Sequence, residues 1–185
     1  MDLFYSIKII LVFLFVQLFV CCDPPRNEKI TFLAKEFIDL EKPSGANRTH
    51  GDAHSGSFFS RADSTNIYGV GMVYNIPDSL IEKTIRVKIN AWVRVGDIES
   101  DKKYAFSLED GKGHCMDWVQ VDFRDYVDEP NKWVNVVDSV LFPGVLIDIP
   151  GMIIKMYSYN SSAKSTLDCD DLELSLYKVE KMIKK

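Results

Sequence analysis

The longest clean alternation in the chain is TIRVKINAWVRV, residues 84–95. A step of two puts Ile85, Val87, Ile89, Ala91, Val93 and Val95 in one row, and Thr84, Arg86, Lys88, Asn90, Trp92 and Arg94 in the other. A period of two is the mark of a half-buried strand, one row on the core and one toward water. The rhythm recurs along the chain. NIYGVGMVYNI sets Tyr68, Val70, Met72, Tyr74 and Ile76 on one face, and KYAFSLE alternates Tyr104, Phe106 and Leu108. DWVQVDFR sets Val119, Val121 and Phe123 against Trp118, Gln120, Asp122 and Arg124. WVNVVDSVLF buries Val134, Val136, Val140 and Phe142, while MIIKMYSY sets Met152, Ile154 and Met156 against Ile153, Lys155, Tyr157 and Tyr159. DLELSLYK closes the series with Leu172, Leu174 and Leu176 inside. Turn clusters such as PDSLIEK, DGKGHC and PG separate these runs, and no stretch sustains a helical period. With segments near 30–40 and 57–62, about nine strands are expected. Short strands with one apolar face each predict an all-β chain folded as a two-sheet antiparallel β-sandwich. Its expected bounds are residues 30–180, after a short linker at 23–29 and before a basic tail at 181–185.

The first 22 residues follow another pattern. IILVFLFVQLFV is a twelve-residue run with one polar interruption, too short at 1.5 Å per residue to cross a bilayer core of roughly 30 Å. It fits the apolar region of an export signal, residues 1–22. No A-x-A site follows; Cys21 and Cys22 do. This resembles a bacterial lipoprotein signal, whose cysteine is acylated and becomes the mature N-terminus. Cys22, preceded by the small Cys21, is the preferred position and Cys21 the alternative. A plain secretory signal and an uncleaved anchor stay open. Each reading places the domain outside the cytoplasm: at the outer membrane or cell surface if acylated, periplasmic or secreted if not. Export permits a disulfide between Cys115 and Cys169, with two inert buried thiols as the equal alternative. Two sequons, Asn47-Arg48-Thr49 and Asn160-Ser161-Ser162, would matter in a eukaryotic host. The net charge of −5 gives no basic surface for nucleic acid.

No catalytic pattern emerges. His50 and His54 lie with Asp52 in RTHGDAHSG, which reads as a solvated polar loop, since a zinc site needs three or four ligands on a scaffold. There is no G-x-S-x-G elbow, no H-E-x-x-H and no phosphate-binding glycine loop. Glu109–Asp110 and Asp122–Asp125 carry no sign of the fixed separation that glycoside hydrolysis requires. What the polar rows do contain is rings: Trp92, Trp118, Tyr157 and Tyr159. Apolar ring area facing water is unfavourable unless something covers it. The cover is either a loop of the same protein or a ligand with flat apolar faces and hydroxylated edges. Pyranose rings are such ligands, and Gln120, Asp122 and Arg124 beside Trp118 could bind the hydroxyls. Trp133 opens a strand just after a turn, a position that closes the end of a core.

Taken in order, several stretches resemble the jelly-roll carbohydrate-binding modules of galactose-binding-like fold. DAHSGSFFSRAD resembles the family's AHSG loop and strand, and IRVKINAWVRV its AWV strand. NKWVNVVDSVLFP is similar to its W-x-(K/R)-V-x-x-x-F-x-(L/V)-P, and IIKMYSYN with DCDDLELSLYK to its last two strands. The likeness runs over about residues 36–178. It implies that the strands near 103–109, 117–124 and 152–159 line the sugar groove. Trp118, Gln120, Tyr157 and Tyr159 then become the binding residues, with Glu109 and Lys155 at the edge, and Trp92 a packing residue under a loop. Many such modules hold a structural calcium where the first strand, the HSG loop and the last strand meet. The resemblance implies Ca²⁺ ligands at Asp39, Glu41 and Asp171, although the family's opening N-G-D-F-E is only partly present in FIDLE.

The sequence thus reads as a non-catalytic glycan-binding domain of an exported, lipid-anchored surface protein, with an oligo- or polysaccharide as partner. The rival is a structural or partner-binding envelope protein, an adhesin or accessory subunit, whose rings are covered by loops or by another protein.

Overall fold

A computed structural model describes residues 28–42, 48–161 and 164–181. The expected export signal with Cys21 and Cys22, most of the expected linker, Asn47 and the last four residues of the tail lie outside the described residues. Ten strands are present among the described residues. In chain order they are β1 (Glu28–Ile38), β2 (Arg48–His50), β3 (Phe58–Ala62), β4 (Tyr68–Asn75) and β5 (Thr84–Val95). β6 (Lys102–Glu109), β7 (Cys115–Asp122), β8 (Val134–Phe142), β9 (Ile153–Asn160) and β10 (Leu167–Lys181) complete the set. One sheet runs β2-β3-β10-β5-β8, with β1 also paired to β10; the other runs β4-β9-β6-β7. The fold is an all-β sandwich of two antiparallel sheets. Two boundaries differ from the sequence reading. β1 already begins at Glu28, inside the expected linker, and Arg48–His50, taken for loop, adds a short strand along β3.

The alternating rows become the two faces of each sheet. In β5 the apolar row is sealed in the core, while Thr84, Arg86, Asn90, Trp92 and Arg94 keep partial exposure and Lys88 is exposed. Tyr104, Phe106 and Leu108 of β6 meet that row from the opposite sheet, with Ile154 and Met156 of β9 beside them. Each such side chain contributes about 1.5–3 kcal/mol relative to its exposed state. The core lies within Ile30–Glu180, which forms one compact unit.

β10 keeps this alternation through one bulge. Asp170 pairs with Trp92 and Glu173 with Asn90, so Asp171 and Leu172 together face Ala91. Asp171 absorbs the extra residue with φ 48, in the left-handed region. Leu172 thereby stays in the core, and Asp171 turns toward the loop that follows β2.

Among the described residues the two cysteines, Cys115 and Cys169, are free. Cys169 points into the core from β10, opposite Val93, and burial pushes its thiol far above the usual range. Cys115 is exposed at the start of β7, in the other sheet. The two are therefore not bridged: one is sealed in the core and the other lies exposed on a strand of the other sheet. Asn160 is buried, its amide donating to the carbonyls of Ala62 (3.2 Å) and Ser165 (2.6 Å), which removes that sequon from the surface.

The turn between β6 and β7 is organised by one carboxylate. Asp110 Oδ1 accepts from the backbone N–H groups of Lys112 and His114, each at 2.8 Å, and Oδ2 lies 2.8 Å from His114 Nδ1. Led by the His114 backbone N–H, these bonds lower the Asp110 pKa to about 2. A depressed carboxyl contributes stability above its unfolded value and loses it as pH falls through the folded one. The His114 and Gly113 amide resonances are therefore expected to shift as pH drops from about 4 toward about 2. Asp110→Asn is expected to abolish that transition; an unchanged titration in the variant would assign it elsewhere.

Candidate functional site

The outer face of the β4-β9-β6-β7 sheet gathers the residues in cross-strand rows. Strand parity turns Lys103, Ala105, Ser107 and Glu109 of β6 outward, since Tyr104, Phe106 and Leu108 fill the core. Tyr159 and Asp122 flank Lys103, Tyr157 and Gln120 flank Ala105, and Lys155 and Trp118 flank Ser107. All six residues expected at the groove thus share one face. Small side chains on the central strand lie between larger ones on its neighbours, forming a shallow trough along β6.

Ala105 and Ser107 at the bottom are closed to water, whereas the flanking rings are not. Trp118 is 42% exposed, and Tyr157 and Tyr159 are half-buried. A ligand would rest on ring faces instead of entering a cavity. Polar groups stand around the rings in fixed positions. Lys155 Nζ lies 2.6 Å from Glu109 Oε2, while Ser107 Oγ donates to Glu109 Oε1 at 2.9 Å. Lys103 Nζ sits 5.5 Å from the Trp118 ring centre and 2.6 Å from Asp101. Arg124 pairs with Asp122, and this bond, the larger effect, holds the Asp122 carboxyl below its usual range. Three cations and three carboxylates balance, so the face selects for no ligand charge.

One residue of this face escapes the simple alternation. Tyr68 reads as core-facing by period, yet it is 48% exposed and stacked on Tyr159, ring centres 5.3 Å apart at 22°. It also meets Tyr157 edge-on at 5.4 Å. The cause is a register shift: Tyr68 pairs with Tyr159 but Gly71 with Tyr157, so β4 gains a residue and Tyr68 flips outward. A side chain at Gly71 would collide with the Met156 carbonyl at 2.3 Å, so the close approach of β4 to β9 needs glycine there. The two glycines of YGVG were the available signal. Tyr68, Tyr157 and Tyr159 form one aromatic patch across the trough from Trp118.

Trp92 lies on the outer face of the other sheet, under the loop that follows β2. Its indole stacks on the His54 imidazole at 3.7 Å and 11°. His54 Nδ1 is 2.8 Å from Asp171 Oδ2, and Ser55 Oγ donates to Asp171 Oδ1 at 2.7 Å. Asp170 accepts the backbone N–H groups of His54 and Ser55. The loop read as merely solvated is pinned at several points and serves as the cover for Trp92. Trp133 packs edge-on against Phe59 at 6.0 Å, with the Arg94 guanidinium 4.5 Å from its ring centre. It closes a cluster on the outside of this sheet instead of the end of the core.

The proposed calcium ligands are engaged otherwise. Glu41 Oε1 accepts the backbone N–H groups of Ser57 and Phe58, both at 2.8 Å. Asp39 takes the Glu41 N–H and pairs with Lys42, whose hydrogen bond, the largest effect, lowers its pKa. Asp171 is held by His54 and Ser55. Among the described residues no group of three acidic, histidine or cysteine side chains is placed to hold a metal ion. Asp39, Glu41 and Asp171 each hold hydrogen-bond donors in this structure.

No family model matches the chain, and no curated protein matches it. Solved structures with similar strand arrangements include the infectious bursal disease virus VP2 subviral particle, at TM-score 0.45 and 11% identity. That match covers 84% of this chain and 34% of the VP2 chain, so this chain spans about a third of that protein's length. The xylan-binding CBM22-1 domain from Paenibacillus barcinonensis Xyn10C is similar at TM-score 0.40 and 15% identity, over 83% of this chain and 87% of that one. TmCBM61 in complex with β-1,4-galactotriose is similar at 0.34 and 16%, over 80% and 87%. Viral capsid and carbohydrate-binding structures thus stand side by side among these remote likenesses, which assign this chain neither a family nor a ligand.

Proposed function

We propose that the protein is a non-catalytic glycan-binding module, exported and held at a membrane surface by its N-terminal segment. The observation that carries this reading is the open face bearing Trp118 opposite the Tyr68–Tyr157–Tyr159 patch. Rings left partly bare in the folded state can gain by covering their area with the C–H face of a pyranose. Gln120, Glu109, Lys155 and Asp122 stand within the same rows to bind hydroxyl edges. The face is shallow, so stacking would be reversible and individual affinities weak. Export and anchoring are supported by the apolar run and the paired cysteines near residue 20.

A protein partner is the second reading. Val73 and Met116 are exposed on the two edge strands of the same sheet, which adds aliphatic area that a sugar does not need. A glycan array probed with residues 23–185 separates the two. Binding to a defined set of saccharides, competed by the free sugar, is expected; silence across the array with a protein recovered on the same face would overturn the glycan reading.

A further inference from the structure

Of Lys103, Lys155 and Arg124 on the open face, only Lys103 is kept from water. Its side chain is 9% exposed, against 41% for Lys155 and 51% for Arg124. Lysine is seldom buried unless it is paired, and an apolar side chain of similar length would pack there without the penalty of desolvating an ammonium. What a charged group adds at such a place is direction. Lys103 Nζ lies 2.6 Å from Asp101 Oδ1 and over the Trp118 ring, 5.5 Å from its centre. Asp101 is in turn held from the opposite wall of the trough. Its Oδ2 accepts from Ser161 Oγ at 2.6 Å and its carbonyl accepts from the Ser161 N–H at 3.3 Å.

Ser161 directly follows β9, the strand that carries Tyr157 and Tyr159. A line of contacts thus runs from Ser161 through Asp101 and Lys103 to Trp118, crossing from the tyrosine wall to the tryptophan wall. Trp118 needs such a hold. It stands half in water on β7, an edge strand, where an exposed side chain otherwise exchanges rotamers within nanoseconds. A cation over the face of an indole is attracted to it, and a buried cation fixed by a carboxylate fixes the ring as well. One face of the indole is then occupied by Lys103 and the other is left to a ligand. On a shallow surface this matters, because affinity is what survives the ordering of side chains on binding, and a ring already set in place escapes that loss.

We infer that Lys103, fixed by Asp101, is the positioning residue of this face: its ammonium holds the Trp118 indole in the orientation in which a sugar ring stacks on it. The inference rests on the reading of the face as a glycan-binding site.

The test uses residues 23–185, which keep the compact unit Ile30–Glu180 whole. Isotopically labelled, they give one indole N–H signal each for Trp92, Trp118 and Trp133, and Trp118→Phe identifies the signal of interest. Lys103→Met is expected to raise the nanosecond mobility of the Trp118 indole, read as a lowered heteronuclear NOE, and to leave Trp92 and Trp133 as they are. Asp101 is 41% exposed and keeps Ser161, so the melting curve should not move. Affinity for a saccharide identified on the array should fall about fivefold, the penalty of ordering one side chain on binding. Lys103→Arg should restore both readouts, since a guanidinium stacks on indole and pairs with a carboxylate. Asp101→Asn should reproduce Lys103→Met, and it decides the matter if that variant does not fold. A Trp118 indole equally rigid in every variant would overturn the proposal. So would affinity lost in Lys103→Met with the indole unmoved, which would make Lys103 a ligand contact. Absence of saccharide binding by the unaltered domain would refute the glycan reading alone, because the indole mobility still decides what Lys103 does to Trp118.

Discussion

Asp168→Ala is expected to destabilise the domain by about 3 kcal/mol, lowering its melting temperature by roughly 6–12 °C. Asp168 is 1% exposed and lies in β10 directly between Arg61 of β3 and Arg94 of β5. Arg61 Nε donates to Oδ1 at 2.7 Å and its Nη2 to Oδ2 at 2.9 Å; Arg94 reaches Oδ2 through Nε at 3.0 Å. Arg94 also donates from Nη1 to Asp52 in the loop after β2 at 2.8 Å, and both guanidiniums lie over the Phe59 ring at 5.1–5.2 Å. Removing the carboxylate leaves two cations facing each other beneath apolar rings. Breaking a buried pair by deleting one partner commonly costs about 3–5 kcal/mol, and partial exposure of Arg61 sets the expectation at the low end. Because Arg94, which also holds Asp52, would lose the carboxylate that orients it, the loop covering Trp92 should exchange its amides faster. Chemical denaturation measures the first effect and hydrogen exchange the second. A loss below about 1 kcal/mol would show that water screens the cluster far better than its burial indicates.

Trp118→Ala is expected to weaken saccharide binding about 30-fold, or about 2 kcal/mol, while leaving stability within about 1 kcal/mol. The indole stands half in water on an edge strand, so folding gains little from it, whereas a stacked ligand would lose one of its two aromatic contacts. Trp133→Ala provides the contrast: packed against Phe59 and Arg94 on the other sheet, it should lower stability and leave binding unchanged. Titration calorimetry with a saccharide found on the array, paired with thermal melts, distinguishes the two. Equal losses of affinity in both variants would place the ligand elsewhere.

The strands were legible because β-structure writes its burial into a period of two. β5, β8 and β9 follow that pattern with hardly an exception, and the rows it separates are the rows that the sheets bury or expose. Trp118, Gln120, Tyr157 and Tyr159 were placed on one face by parity plus family likeness. Tyr68 was not, since the bulge at Gly69–Val70 breaks the phase, and a count by twos cannot see a third residue inserted. The cysteine pairing stayed open for a related reason: parity says whether a side chain points in or out of its own sheet, not which sheet it belongs to. The partners of the acidic residues around the HSG loop were not legible. Backbone N–H groups and His54, invisible to any spacing rule, already satisfy them. The same loop, polar in composition, was read as bathed in solvent, although its imidazole lies flat on Trp92.

β10 pairs with β1, β3 and β5, joining strands from the beginning and the middle of the chain. Until Leu167–Lys181 has been synthesised, β1, β2 and β3 have no seam attaching them to β5 and β8. Translated N-terminus first, the chain could pair β5 with β8 and assemble β4-β9-β6-β7, yet the larger sheet would stay in two pieces until the last segment slots between its neighbours.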